Sequence, residues 1–209
     1  MVRGWVIALV VAAAAVGVGA AVKETPERPA PRPSAPAIVA DGTRLRFAPR
    51  PLAMPGGKSR PVRSLLETKG AMRYGDYRWD DDGVPPGPVW VRVDLARQMI
   101  SVFRGQDEIG TAVILYGTDG KPTPTGNFPI LARAVRHQST LYDAQMPYML
   151  RLTNDGVAIH ASSVRFGAAT HGCIGVPEAF AARLFAVVKR GDPVSILPAS
   201  TLKPVSRPA

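Results

Sequence analysis

Between residues 89 and 116 the chain alternates apolar and other side chains with a period of two, and that rhythm admits little besides β-structure. Val89, Val91, Val93 and Leu95 fall on one side of an extended backbone, with Trp90, Arg92 and Asp94 on the other, the pattern of a half-buried strand. Ile100 and Val102 repeat it before a turn at Arg104-Gly105, and residues 111–116 form a continuous apolar run suited to a central strand. Residues 128–135, 149–152, 157–160 and 194–197 read as further strands. One stretch breaks the rhythm. Residues 177–190 place Phe180, Leu184 and Val187 at helical spacing, open on Pro177 and Glu178, and close on Lys189, Arg190 and Gly191. That combination predicts a helix. The expected domain, residues 88–198, is long enough for one hydrophobic core.

The flanks read differently. Residues 6–22 are uncharged and apolar, behind Arg3 and ahead of Lys23. This is the layout of an export signal, with Val18-Gly19-Ala20 or Gly19-Ala20-Ala21 as the cleavage site. The run is also long enough to span a bilayer, for which roughly 17–25 residues are needed. Residues 1–22 are therefore expected to be a signal peptide or a membrane anchor, and both readings send the remainder out of the cytoplasm. Residues 23–87 are expected to be a largely disordered linker, because nine prolines fall between residues 23 and 62 and proline-rich chain resists packing. In its later part Tyr74, Tyr77 and Trp79 offer aromatic rings able to dock on the domain. Residues 199–209 carry no apolar pattern and are expected to be a flexible tail.

Charge and cysteine content narrow the function. The net charge is +10, yet residues 87–198 hold eleven Lys/Arg against eight Asp/Glu, so most of the excess lies in the flanks. No Lys/Arg stripe with interleaved aromatic residues occurs, which argues against nucleic acid as a partner. Anionic lipid or wall polymer is the more natural counterpart, with membrane contact only through residues 6–22. The single cysteine, Cys173, excludes an internal disulfide, a CxxC redox pair and a thiolate zinc finger.

Cys173 also sits where a nucleophile is expected. It ends the block Thr170-His171-Gly172-Cys173, thirteen residues after His160, the last residue of a predicted strand. A thiol becomes reactive when a nearby imidazole takes its proton. His160 is the preferred base because a strand holds it rigidly, and a backbone carbonyl such as that of Ala161 is expected to orient its second ring nitrogen. His171 competes, since residues two apart on extended chain project to the same side. Backbone N–H groups of Gly172 and Cys173 are the expected oxyanion hole. The start of the predicted helix, four residues on, is expected to favour thiolate through its dipole. His137 lies in an unpatterned loop and is expected to be solvent-exposed.

At these residues the chain resembles the L,D-transpeptidase family, whose mark is a His followed by a Ser/Thr-His-Gly-Cys block. Thr123-Pro124-Thr125-Gly126-Asn127-Phe128 looks like the family's Thr-Pro-x-Gly-x-Phe turn. Met146-Pro147-Tyr148 looks like the segment before its histidine strand, and Gly191-Asp192-Pro193-Val194 like its closing Gly-x-x-Val. The resemblance implies a mainly β fold, an L,D-transpeptidase-like sandwich or barrel with one principal helix. It implies a periplasmic or cell-envelope enzyme that acts on peptidoglycan stem peptides through a thioester on Cys173. The products would be 3-3 cross-links, or stems joined to another amine such as that of a wall-attached protein. No metal and no organic cofactor is implied. Water in place of the amine would make an L,D-carboxypeptidase or endopeptidase.

Substrate contacts are expected from Tyr148, Arg165 and Thr170, with Arg151 as a second cation. The chain departs from the family pattern at Gly175, where many members carry Arg or Asn, and in a short interval between His160 and Thr170 that suggests an open loop. Two rivals remain from other classes. One is a metal site built on His137, His160, His171 and Cys173, and the other is a catalytically weak wall-binding module.

Overall fold

The computed structural model describes residues 39–40, 43–117, 120–139 and 144–199, all in one compact unit that begins at Pro36. The expected signal or anchor, the first part of the expected linker and the tail beyond residue 199 lie outside the described residues. No described helix is long and apolar enough to cross a membrane. In chain order the strands are β1 (Val39–Ala40), β2 (Arg44–Ala53), β3 (Ser59–Leu66), β4 (Tyr77–Trp79), β5 (Val89–Asp94), β6 (Met99–Arg104) and β7 (Asp107–Val113). Then come β8 (Gly126–Pro129), β9 (Ala132–Ala134), β10 (Met149–Arg151), β11 (Ala158–Ala161) and β12 (Ile174–Val176), followed by helix α1 (Glu178–Val187) and β13 (Pro193–Leu197). The fold is mainly β with one α-helix among the described residues.

Two sheets result. The larger runs β1-β2-β3-β7-β6-β5-β13-β8, with β4 also paired to β7, and the smaller runs β12-β11-β10-β9. The alternating segment forms the middle of the larger sheet, where Val91, Val93, Ile100, Val102, Ile109 and Ile114 are fully buried. Helix α1 lies over this core through Phe180 and Leu184, and Phe180 meets Trp79 and Tyr77 edge-on at 5.5 and 6.2 Å. The helix ends at Val187, with the apolar spacing, and does not run on to residue 190. The Asp192 carboxylate accepts from the Lys189 N–H at 2.9 Å, and Gly191 takes φ +90°, so residues 189–192 form a turn.

The linker expected over residues 23–87 is corrected by β2, β3 and β4, which are part of the larger sheet. The reason is the second face of the alternating strands. Trp90 and Phe103 are cross-strand partners stacked at 4.0 Å on the face away from the main core, and both are buried. Met54 and Val62, with Phe47, Leu52 and Leu65, cover them. Pro49, Pro51 and Pro61 are accommodated because they lie in an outer hairpin. Pro49 falls where the β2–β3 register slips between Arg46 and Arg50, and Pro51 stands opposite Pro61, positions where a missing N–H is tolerated. Arg63 clamps Asp107 with three contacts of 2.7–3.0 Å, and the Ser64 hydroxyl donates to the same carboxylate at 2.7 Å. Burial opposes ionisation of Asp107, yet Arg63 and Ser64 outweigh it and hold the carboxyl below its usual range.

Next to Asp107 the balance reverses. Glu108 is buried, and desolvation raises its pKa to about 7 despite a Ser101 hydrogen bond, the Leu66 N–H at 2.8 Å and the charges of Arg44 and Arg92. A raised carboxyl pKa means the folded state holds the proton while the unfolded chain has lost it. Stability is therefore fully present below about pH 4.5 and lost as pH rises to about 7, by on the order of 3 kcal/mol. Glu108→Gln, neutral and of the same shape, is expected to flatten the melting temperature between pH 5 and 8. An unchanged slope in that variant would assign the dependence to another group.

The strand expected over residues 128–135 divides between the sheets. Pro129, lacking an N–H, ends β8. Ile130 N–H then goes to Asp192 and Leu131 N–H to Arg151, at 3.0 and 2.8 Å, carrying the chain into the smaller sheet. The run over residues 111–116 divides as well. Ile114, Leu115 and Tyr116 leave β7, and Leu115 exchanges both backbone hydrogen bonds with Gly175, at 2.9 and 3.0 Å. This crossing ties the two sheets together beside the Thr-His-Gly-Cys block.

Candidate active site

Strands β11 and β12 are parallel, with Ile159 opposite Ile174 and His160 opposite Gly175. Paired residues share a face. One further step along the register puts Cys173 beside Ala158, on the face that carries His160. Cys173 and His160 are thus diagonal neighbours across the pair. Cys173, His160, His171, Thr170, Ser162 and Met146 line one cavity of about 210 Å³.

The His160 ring is held by its own chain. Nδ1 lies 2.8 Å from the carbonyl oxygen of Ala161, the contact expected for a base without a carboxylate partner. A carbonyl only accepts, so Nδ1 carries the proton and Nε2 of the neutral ring keeps its lone pair. Burial pushes the imidazole below its usual pKa, partly offset by the Ala161 contact. Cys173 packs on Met146, Met149 and Ala158, with Sγ 3.9 Å from the Gly156 carbonyl. Burial pushes its thiol up, although an Ala158 backbone hydrogen bond and the charge of Lys121 pull it down; Asp155 adds to the rise. Burial thus leaves thiol and imidazole both neutral at rest.

The expected help from the helix dipole is absent. Strand β12 intervenes between Cys173 and α1, and three extended residues span about 10 Å. A helix terminus acts within about one turn. The positive end of α1 is too far from the sulfur.

Two threonines set the peptide planes of the Thr-His-Gly-Cys loop. The Thr123 hydroxyl accepts from the Gly117 N–H at 2.9 Å and donates to the Gly172 carbonyl at 3.0 Å. A trans peptide points its N–H opposite its C=O, so the Cys173 N–H faces away from Thr123. The Thr170 hydroxyl donates to the Cys173 carbonyl at 2.5 Å. Gly172 has φ +98°, a conformation that other residues adopt only with strain. Gly117 is needed for closeness, since a Cβ there would stand 2.8 Å from the Gly172 backbone. The Thr-Pro-Thr-Gly turn therefore braces the loop from beneath.

Other expected substrate residues are placed elsewhere. Tyr148 packs edge-on against Phe185 at 5.9 Å, on the main core and outside the cavity. Arg165 is exposed on the loop between the two histidines and does not line the cavity, and Arg151 is an exposed residue of β10. Thr170 lines the cavity, but its hydroxyl is committed to the Cys173 carbonyl. His137 does not line the cavity that His160, His171 and Cys173 share, and no group of three or more potential metal ligands is found among the described residues.

The glycine at 175 has a steric cause. A Cβ there would lie 2.8 Å from Cβ of Ser162 and 3.4 Å from Cβ of Leu115. Ser162, itself in the cavity wall, occupies the space that a longer residue at 175 would need. Overpacking of this kind costs about 1–3 kcal/mol. Gly175→Arg is expected to lower stability by that amount, and Ser162→Gly in the same chain to restore most of it. Melting temperatures of the two single variants and the double variant test the coupling; additive losses would show that Ser162 is not the obstacle.

Two site residues carried no sequence signal beyond position. Ser162 follows the histidine strand, and Lys121 precedes the Thr-Pro turn and reaches Cys173 only through the fold.

An L,D-transpeptidase from Stackebrandtia nassauensis has a similar fold at 22% identity and TM-score 0.50, over 57% of this chain and 60% of its own. An L,D-transpeptidase from Mycobacterium smegmatis matches at 18% identity and TM-score 0.50, over 74% of this chain and 90% of its own. The chain thus spans about 60% of the length of the first and most of the second. No curated protein matches. The model of the YkuD L,D-transpeptidase catalytic domain matches residues 88–196, which hold both strands of the site, the Thr-Pro turn and the Thr-His-Gly-Cys loop. This chain belongs to the YkuD L,D-transpeptidase catalytic-domain family.

Proposed function

We propose that this protein is a cysteine L,D-transpeptidase of the cell wall, with peptidoglycan stem peptides as donor. The observation that carries the reading is the parallel register that sets Cys173 and His160 on one face beside a common cavity. Nε2 of His160 takes the thiol proton as Sγ attacks the carbonyl of the diamino acid at position three. The oxyanion forms beside the Gly172 and Cys173 N–H groups. Collapse expels D-alanine, whose amine takes the proton back from His160, and leaves a thioester on Cys173. An acceptor amine on another stem, or on a wall-attached protein, then attacks while His160 removes its proton. The new amide forms, and the thiolate leaves and is reprotonated. Water as acceptor gives the carboxypeptidase outcome with the same residues.

This chemistry takes place outside the cytoplasm, and the apolar residues 6–22 are the element that exports the chain. The test is product analysis of purified tetrapeptide fragments incubated with the protein. Dimers lacking one D-alanine are expected. Tripeptides alone would assign the hydrolase, and untouched tetrapeptide would remove the reading.

A further inference from the structure

Lys121 lies against the nucleophile loop. Its Cγ and its carbonyl oxygen each stand 3.7 Å from the point that a Gly172 Cβ would occupy, and its carbonyl is 2.2 Å from the equivalent point on Gly117. Gly117, which leaves no room for a Cβ, lets the backbone of Lys121 close on the residue that precedes Cys173. Lys121 is half-buried, and its Cγ beside Gly172 anchors the side chain one residue from Cys173. Its charge opposes the effect of burial on the thiol, while exposed Asp155 works the other way. The other candidate charges act elsewhere. His160 rests neutral, α1 is remote, neither Arg165 nor Arg151 is among the charges that act on the thiol, and position 175 holds no side chain.

We propose that Lys121 is an electrostatic positioning residue of this site, supplying the positive charge that favours the Cys173 thiolate and the oxyanion formed beside Gly172. The inference rests on Cys173 being the nucleophile. A lysine suits the task because it is a compact point charge on a flexible stem, able to follow negative charge from sulfur to oxygen without the fixed fork of an arginine. The charge acts at the moment of proton transfer, when thiol and imidazole become thiolate and imidazolium in a poorly solvated site.

The test uses the full chain and a probe independent of peptidoglycan. Iodoacetamide alkylation of Cys173 is followed by intact mass across pH in wild type, Lys121→Met and Lys121→Arg. The methionine keeps the stem and removes the charge. It is expected to move the alkylation midpoint up by about one pH unit, with roughly tenfold slower alkylation at pH 7, at an unchanged melting temperature. Arginine is expected to restore the wild-type midpoint.

Superimposable profiles in all three proteins would overturn the proposal. So would a rate loss in Lys121→Met that is uniform across pH, because lost packing slows reaction without moving a midpoint. If the midpoint shifts and arginine restores it, yet the wild type leaves tetrapeptide untouched, the electrostatic role stands and the transpeptidase reading fails. If the wild type forms dimers and the profiles coincide, the reverse holds.

Discussion

Cys173→Ala is expected to abolish turnover, by at least about 10⁴-fold, while leaving the fold intact. The size follows from covalent catalysis. Without sulfur no thioester forms, and the oxyanion donors and cavity retain only the residual acceleration that a site keeps once its nucleophile is gone. The intact fold follows from the packing. Cys173 is half-buried at the edge of a small cluster of Met146, Met149 and Ala158, so losing one sulfur atom costs about 1 kcal/mol or less. Its backbone is fixed independently of the side chain, by Thr170 on the Cys173 carbonyl and Thr123 on the Gly172 carbonyl. Dimer formation from tetrapeptide, with melting temperature alongside, checks both halves. A variant retaining more than about a thousandth of the wild-type rate would remove Cys173 from the nucleophile role. A large fall in melting temperature would show that the thiol is structural.

The chemistry of this site is written in short segments, and that is why so much of it is legible in the sequence. Alternation over residues 89–95 marks a strand because one of its faces must be buried, and Phe180 with Leu184 marks a helix for the same reason at a different period. Pairing is less legible. His160 and Cys173 are thirteen residues apart, and only the parallel register of β11 and β12 puts them on one face. The hairpin β2–β3 is hidden because proline reads as linker, although Trp90 and Phe103 on the supposedly wet face call for a cover. The distance between Cys173 and α1 is hidden because a three-residue strand carries almost no periodic signal. Tyr148 illustrates a further limit. Its sequence neighbours place it ahead of the histidine strand, but its φ of +55° and its contact with Phe185 turn it to the core. Lys121 has no local mark of function at all. Its role depends on Gly117, whose bare backbone lets it close on a loop some fifty residues further along the chain.

His160→Ala is expected to cost nearly as much as the cysteine change at pH 7, about 10³-fold or more, because base and nucleophile act as one unit. His171→Ala is expected to cost less than about tenfold. Both histidines line the cavity, so lining does not separate them; burial does. The Ala161 carbonyl holds Nδ1 of His160 at 2.8 Å and leaves Nε2 basic, whereas His171 is exposed. The pH profile carries the distinguishing sign. Burial lowers the His160 pKa, so the basic form persists to lower pH than for a free imidazole. The acid limb of kcat/KM in wild type is expected to have its midpoint below about 6.5. In His160→Ala that limb disappears. What remains should climb only as the thiol ionises by itself, above the usual midpoint near 8.5, since burial raises the Cys173 pKa. In His171→Ala the acid limb should stay in place. Loss of that limb in His171→Ala and its survival in His160→Ala would transfer the base role to His171, and the cavity would then work from the loop instead of from the sheet.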